Sequence, residues 1–258
     1  MEYIVICTAA VLVSGLTLFS GFGIGTLLMP VFALFFPVDV AIALTAVVHL
    51  LNNMFKFILL GKYADKGVFL RFGLPAIPAA FLGAQSLVWL SRLPVLLEWG
   101  RGFQITPVKL LIAILVLVFA LLELAPFLRR FSISRRHLPL GGVLSGFFGG
   151  VSGFQGAIRS AFLIKSGLTK EAFIATGIMI SFVVDLTRLG VYFMGYSRRF
   201  ADVRLEQNFS LLIAATGAAF LGAFVGSWLI KKVTLKTVRI IVAIMLMGIG
   251  VGLGTGII

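Results

Sequence analysis

Residues 20–30 read SGFGIGTLLMP (Ser20–Pro30), three glycines and a proline set between runs of Leu, Val, Phe and Ala. Glycine and proline are poor material for a helix interior, yet the residues on either side are apolar enough to enter a bilayer. The segment therefore either turns back inside the membrane or crosses it with a kink. Which of these holds decides the topology of the chain.

The chain has 258 residues, 60% hydrophobic and 12% charged, with a mean hydropathy of +1.13. A soluble domain carries about twice as many charges. Apolar blocks at 3–36, 40–60, 68–90, 107–127, 138–164, 171–195, 208–230 and 237–258 are separated by short polar loops. Several reach the ~20 residues a helix needs to cross hydrocarbon, and none alternates as a barrel strand does. The expected class is an all-α integral membrane protein in a lipid bilayer. A net charge of +13 would suit nucleic acid, but basic residues also collect in the cytoplasmic loops of membrane proteins. Of the 22 Lys and Arg, 19 lie in or beside loops, so no nucleic-acid partner is expected. A single cysteine, Cys7, allows no internal disulfide and no Cys/His metal cluster. No metal or cofactor is implied. Glu2 stands where a signal peptide would be basic, so the first apolar run reads as retained.

The chain repeats itself. AAFLGAQSLVWL at 79–90 matches AAFLGAFVGSWL at 218–229 in eight of twelve positions. DVAIALT (39–45) answers KEAFIAT (170–176), and SGFGIG (20–25) answers SGFQGA (152–157), in the same order. Two homologous halves follow, residues 1–128 and 138–258, joined by a basic linker at 129–137. If all eight blocks cross, the loop Lys and Arg divide ten to nine and orient nothing. If the first block of each half instead enters and returns, loops around 62–71, 129–136, 165–170 and 231–239 share one face with 13 basic residues. The other face keeps six. That bias fits the positive-inside rule. It favours inverted repeats with both termini outside, each half a glycine-broken re-entrant or kinked segment plus three transmembrane helices.

Broken backbone at membrane depth is tolerated where it is buried in protein or lines a wet cavity. A helix start beyond the break offers unpaired N–H groups and a positive dipole end, which suit an anion. Paired interruptions at matching places in two halves point to a transporter's binding site; tight packing at small residues is the plainer alternative.

At these residues the sequence resembles the TauE/SafE sulfite exporters, also called TSUP permeases. The resemblance rests on GFGIGTLLMP, PVDVAIALTAVVHLLNN, LSGFFGGVSGFQGA and AFIATG. It implies a permease of a prokaryotic plasma (inner) membrane that moves small sulfur-containing anions such as sulfite and sulfonates, and is not an enzyme. Carried onto this chain, the glycine-rich segments are Gly21, Gly23 and Gly25 with Pro30, and Gly149, Gly150, Gly153 and Gly156. The second segment departs from the family's pattern. Phe162 stands near the place of its usual proline, and Gln155 and Arg159 replace glycine or apolar residues.

Charged and polar groups in hydrocarbon are costly and commonly functional. Thr45, His49, Asn52, Asn53 and Lys56 share one helical face. Asn52 and Asn53 could bond an anion or a neighbouring helix, while Lys56, about a turn from the helix end, is expected to snorkel to the cytoplasm. Ser181, Asp185, Arg188 and Tyr192 repeat that spacing in the second half. Asp185 and Arg188 either neutralise each other, or Arg188 binds the anion while Asp185, with His49, takes up a coupling proton or cation. Arg159, directly after SGFQGA, offers a planar fork for an oxyanion. Glu123, Trp89 and Trp228 read as interfacial. Ala214, Ala218, Gly222 and Gly226, every four residues, read as close helix packing.

The substrate site expected from sequence is thus Gly21, Gly23, Gly25, Asn52, Asn53, Gly153, Gln155, Gly156, Arg159 and Arg188, with His49 and Asp185 as coupling groups. An anion channel would share these features. An intramembrane enzyme would need a nucleophile with a base or a metal cluster, and His49 and His137 form no such motif. No GxxxxGK[ST] signature is present, so ATP is not expected to act on this chain.

Overall fold

A computed structural model describes residues 2–20, 24–100, 103–124, 135–164, 166–195, 205–229 and 235–257. In chain order its helices are α1 (Glu2–Ser20), α2 (Ile24–Ala33), α3 (Val38–Leu60), α4 (Lys66–Leu90), α5 (Pro107–Leu124), α6 (Leu138–Ser152), α7 (Gly156–Leu163), α8 (Lys170–Gly195), α9 (Leu205–Leu229) and α10 (Leu235–Gly254). By length and composition, the helices of Val38–Tyr63, Lys66–Leu90 and Lys170–Gly195 can each cross a membrane. The chain is an all-α membrane protein with one small exception.

The exception is a hairpin of β1 (Leu97–Trp99) and β2 (Phe103–Ile105), with Leu97 opposite Ile105 and Trp99 opposite Phe103. Sequence reading leaves 92–109 as a plain loop, because three-residue strands are too short to show alternation. The hairpin is anchored at the far end of the chain, where Trp99 Nε1 donates to the Thr255 carbonyl at 3.0 Å.

The second glycine-rich stretch interrupts a helix. In the first apolar block the described residues form α1, to Ser20, and α2, from Ile24; Gly21 and Gly23 lie outside the described residues. In the second half α6 stops at Ser152 because Gly153 takes φ +83°, in the left-handed region, while its N–H still bonds the Gly149 carbonyl. This is a glycine C-cap. At ~1.5 Å per residue, α2 and α7 span roughly 15 and 12 Å, too short to cross ~30 Å of hydrocarbon.

Small residues set the closest helix contacts. On α6, Gly142, Gly146 and Gly150 lie against the backbone of Phe72, Ala76 and Ala80 on α4, and a Cβ at any of the three would overlap it. Gly83 of α4 abuts the Phe147 carbonyl in the same way, and its repeat partner Gly222 on α9 abuts the Val11 carbonyl on α1. At Gly222 itself the expected close packing is present. Trp89 is exposed, whereas the side chains of Glu123 and Trp228 lie outside the described residues.

The loop before α4 is pinned at both ends. Asp65 accepts a hydrogen bond from the Val68 N–H at 2.8 Å, capping α4, and its own N–H donates to Thr176 Oγ1 on α8 at 2.8 Å. A cluster of Val68, Phe72, Leu138, Phe162, Leu163 and Ile180 locks α7 between α4, α6 and α8. Phe162 packs edge-on against Phe72. It fills the space beside Gly141, where any Cβ would meet its ring.

Candidate functional site

Helices α3 and α8 pack together, and the break between α6 and α7 lies beside them. Into this junction the chain places a group of buried polar side chains. Asp185 is at its centre and is fully buried. Its Oδ2 lies 2.6 Å from His49 Nδ1 and accepts from Asn53 Nδ2 at 2.9 Å. Its Oδ1 accepts from Arg188 Nε at 3.0 Å and sits 2.8 Å from Arg188 Nη2. Gln155 Nε2 reaches the same oxygen at 3.5 Å, at the limit of a hydrogen bond. The carboxylate is thus ringed by donors from α3, α8 and the break.

Arg188 is held from two directions. Asp185 fixes its inner edge, and Gly153 leaves room for its outer one, since a Cβ there would lie 2.7 Å from Nη1. Only glycine serves at this position, both for the left-handed backbone and for the guanidinium beneath it. Nη1 has no hydrogen-bond partner, and neither does Gln155 Oε1. The amide cannot profitably be reversed, because that would turn Oε1 onto the Asp185 carboxylate. Ser145 Oγ donates to the Gln155 carbonyl at 3.1 Å, steadying the break from α6. Tyr192 donates to the Gly150 carbonyl, the turn of α6 before it.

Arg159 stands on α7, 8% exposed, and donates to Ser181 Oγ one turn before Asp185 on α8. Lys56 is 6% exposed. It lies one turn before the end of α3 at Leu60, as the sequence reading has it, with most of its side chain buried. Asn52 and Asn53, adjacent in sequence, diverge. Asn53 turns to Asp185, while Asn52 Oδ1 accepts from Ser14 on α1 at 3.4 Å and its Nδ2 has no partner. Thr45 Oγ1 is also buried without one.

Gly25 brings the first half to this place. It sits in the first turn of α2, and a Cβ on it would lie 3.4 Å from the Gly153 carbonyl. The start of α2 therefore meets the second break. Gly156 is the buried first residue of α7. Of the residues expected from sequence, His49, Asn53, Gln155, Asp185 and Arg188 form one bonded group, with Gly153 against it. Arg159 adjoins it through Ser181, and Asn52 lies on the α1 side. Ser14 and Ser145 escape sequence reading, since a lone serine in an apolar helix carries no periodic signal.

At the junction Arg188 pairs with Asp185, and a second buried guanidinium, Arg159, stands one turn away on Ser181. No group of three or more His, Cys, Asp or Glu that could hold a metal occurs among the described residues.

No curated protein and no solved structure matches the chain. The profile of the family described as Sulfite exporter TauE/SafE matches residues 5–253, nearly the whole length, and that family consists of membrane transporters of sulfur-related anions, not enzymes. On that match over nearly its whole length, the chain belongs to the TauE/SafE sulfite exporter family.

Proposed function

We propose that the protein is a secondary transporter that carries a small sulfur-containing anion, such as sulfite or a sulfonate, through the junction of its two helix breaks. The observation that carries this reading is the charge balance there: two buried guanidiniums, Arg159 and Arg188, against one carboxylate, Asp185. Buried charge without a partner costs several kcal/mol, and an anion in the junction removes that cost. Arg188 Nη1 and Asn52 Nδ2 are unpaired donors, and the first N–H groups of α7 and α2 add the positive ends of two helices. The substrate contacts are Arg159, Arg188, Asn52, Asn53 and Gln155, with the backbone of Gly21, Gly23, Gly25, Gly153 and Gly156.

Two inverted halves, 1–128 and 138–258 about the 129–137 linker, suit this mechanism. That the two halves are related, in either direction, is supported by their packing: α4 lies on α6 as α9 lies on α1, so the first helix of each half lies on the fourth of the other. Likewise α3 meets α8, and α5 meets α10. The basic bias of the loops then sets both termini outside in a prokaryotic inner membrane. His49 and Asp185, in contact and beside Arg188, are the coupling pair. A proton taken up there loosens Asp185's hold on Arg188 and frees the guanidinium for the anion.

Reconstituted in proteoliposomes, the protein is expected to move labelled sulfite, thiosulfate or a sulfonate at a rate that saturates, with counterflow from preloaded vesicles. Flux that rises in proportion to the gradient without saturating would make the protein a channel. No flux of any of these anions would refute the proposal.

A further inference from the structure

Gln155 and Arg188, one from the break and one from α8, meet on a single atom, Asp185 Oδ1. Gln155 Nε2 reaches it at 3.5 Å, Arg188 Nε at 3.0 Å and Arg188 Nη2 at 2.8 Å. With the amide nitrogen turned to the carboxylate, Gln155 Oε1 is buried without a hydrogen-bond partner. Arg188 Nη1, at the end of the guanidinium beneath Gly153, is buried and unpartnered as well. Both residues are fully buried. An orphan acceptor and an orphan donor thus lie on two side chains that share one anchor. A buried polar atom left unsatisfied costs free energy that a bound group can return. The two orphans call for opposite partners. Nη1 has protons to give and takes an anionic oxygen, whereas Oε1 has only lone pairs and takes a donor.

The chain also holds this glutamine in place from every side. Its N–H donates to the Gly153 carbonyl at 2.9 Å, and its own carbonyl accepts from the Arg159 N–H at 3.0 Å and from Ser145 Oγ at 3.1 Å. Gly149 lies against its side chain, where a Cβ would stand 3.0 Å from the Gln155 Cβ.

We propose that Gln155 Oε1 selects a substrate that carries its own hydrogen-bond donor beside its anionic oxygens, that is, an oxyanion bearing a hydroxyl or amino group and not an apolar substituent. This rests on the anion-carrier reading above and adds a donor to the chemistry of the anion. Arg188 Nη1 takes an oxygen, and Oε1 accepts from the O–H or N–H of the same ligand. An apolar substituent in that place buries Oε1 against carbon and shuts water away from it. Discrimination then comes from the atom left without a partner, as it does wherever a site is built to bond a group that the wrong ligand lacks.

The test compares sulfamate with methanesulfonate by equilibrium binding to the purified protein. Both are monoanions at neutral pH with the same three sulfonate oxygens, and one carries an amino group where the other carries a methyl. Wild type is expected to bind sulfamate at least about tenfold more tightly. Gln155→Met keeps the length of the side chain and removes the acceptor. It is expected to weaken sulfamate until the two ligands bind within about threefold of each other. The wild-type comparison decides by itself if that variant does not fold. Equal affinity of wild type for the two ligands overturns the proposal and leaves the carrier reading intact. So does wild type that binds sulfite but not sulfamate, or a folded Gln155→Met that keeps the tenfold preference or loses both ligands alike. Wild type that binds none of the three overturns both readings.

Discussion

Arg188→Gln is expected to abolish anion transport and to destabilise the protein by about 3–5 kcal/mol, the usual cost of breaking a buried ion pair. The substitution strands the Asp185 carboxylate, which is fully buried and has only His49, Asn53 and Gln155 left to answer it. The loss of stability alone would not separate a structural arginine from one that binds substrate. The double variant Asp185→Asn/Arg188→Gln does so. It removes both charges together and keeps side chains of similar size that can still hydrogen-bond. Most of the lost stability is therefore expected to return, measured as melting temperature in detergent, while transport in proteoliposomes stays absent. A double variant that transports at the wild-type rate would reduce the pair to a structural one.

The second large effect lies far from the charges. Gly146→Leu is expected to prevent recovery of folded, monodisperse protein. A Cβ at Gly146 already overlaps the Ala76 backbone, and Gly142 and Gly150 are equally tight one turn away on either side. Because the obstacle is backbone and not a flexible side chain, α4 and α6 would have to separate along their length. The break at Gly153 hangs from the end of α6, so it would move with them. Overpacking of this kind typically costs about 1–3 kcal/mol where neighbours can adjust, and more where they cannot. Gly190→Ala on α8 is the control. Nothing lies within 4 Å of a Cβ there, so alanine is expected to leave yield and melting temperature unchanged or slightly raised. Loss of folded protein in both variants would mean that these helices do not tolerate any change at glycine, and that the α4–α6 contact is not special.

Much of this arrangement is readable in the sequence, for physical reasons that differ by residue. The break at Gly153 announces itself because only glycine comfortably holds a φ of +83°, and SGFQGA repeats SGFGIG. The faces of α3 and α8 are legible because a polar residue in an apolar helix stands out at every third or fourth place. The union of these faces is not legible. His49 and Asp185 meet only because α3 crosses α8, and no local pattern specifies that crossing. Ser14 and Ser145 are silent because serine is ordinary in membrane helices. The direction of the repeats rests on the distribution of loop charges, since packing order alone is the same for either kind of two-fold relation.

The positive junction between the breaks is tested most directly by the thermal stability of purified protein titrated with sulfite, thiosulfate, sulfate, sulfonates and short carboxylates. A ligand that binds only the folded state stabilises it by about 2.7 kcal/mol at a hundred times its Kd, which moves the melting temperature by several degrees. At least one of these anions is expected to raise the melting temperature of the wild type, and Arg159→Ala is expected to remove the rise. An equal rise in Arg159→Ala, Asn53→Ala and Arg188→Ala would contradict an anion site at this junction.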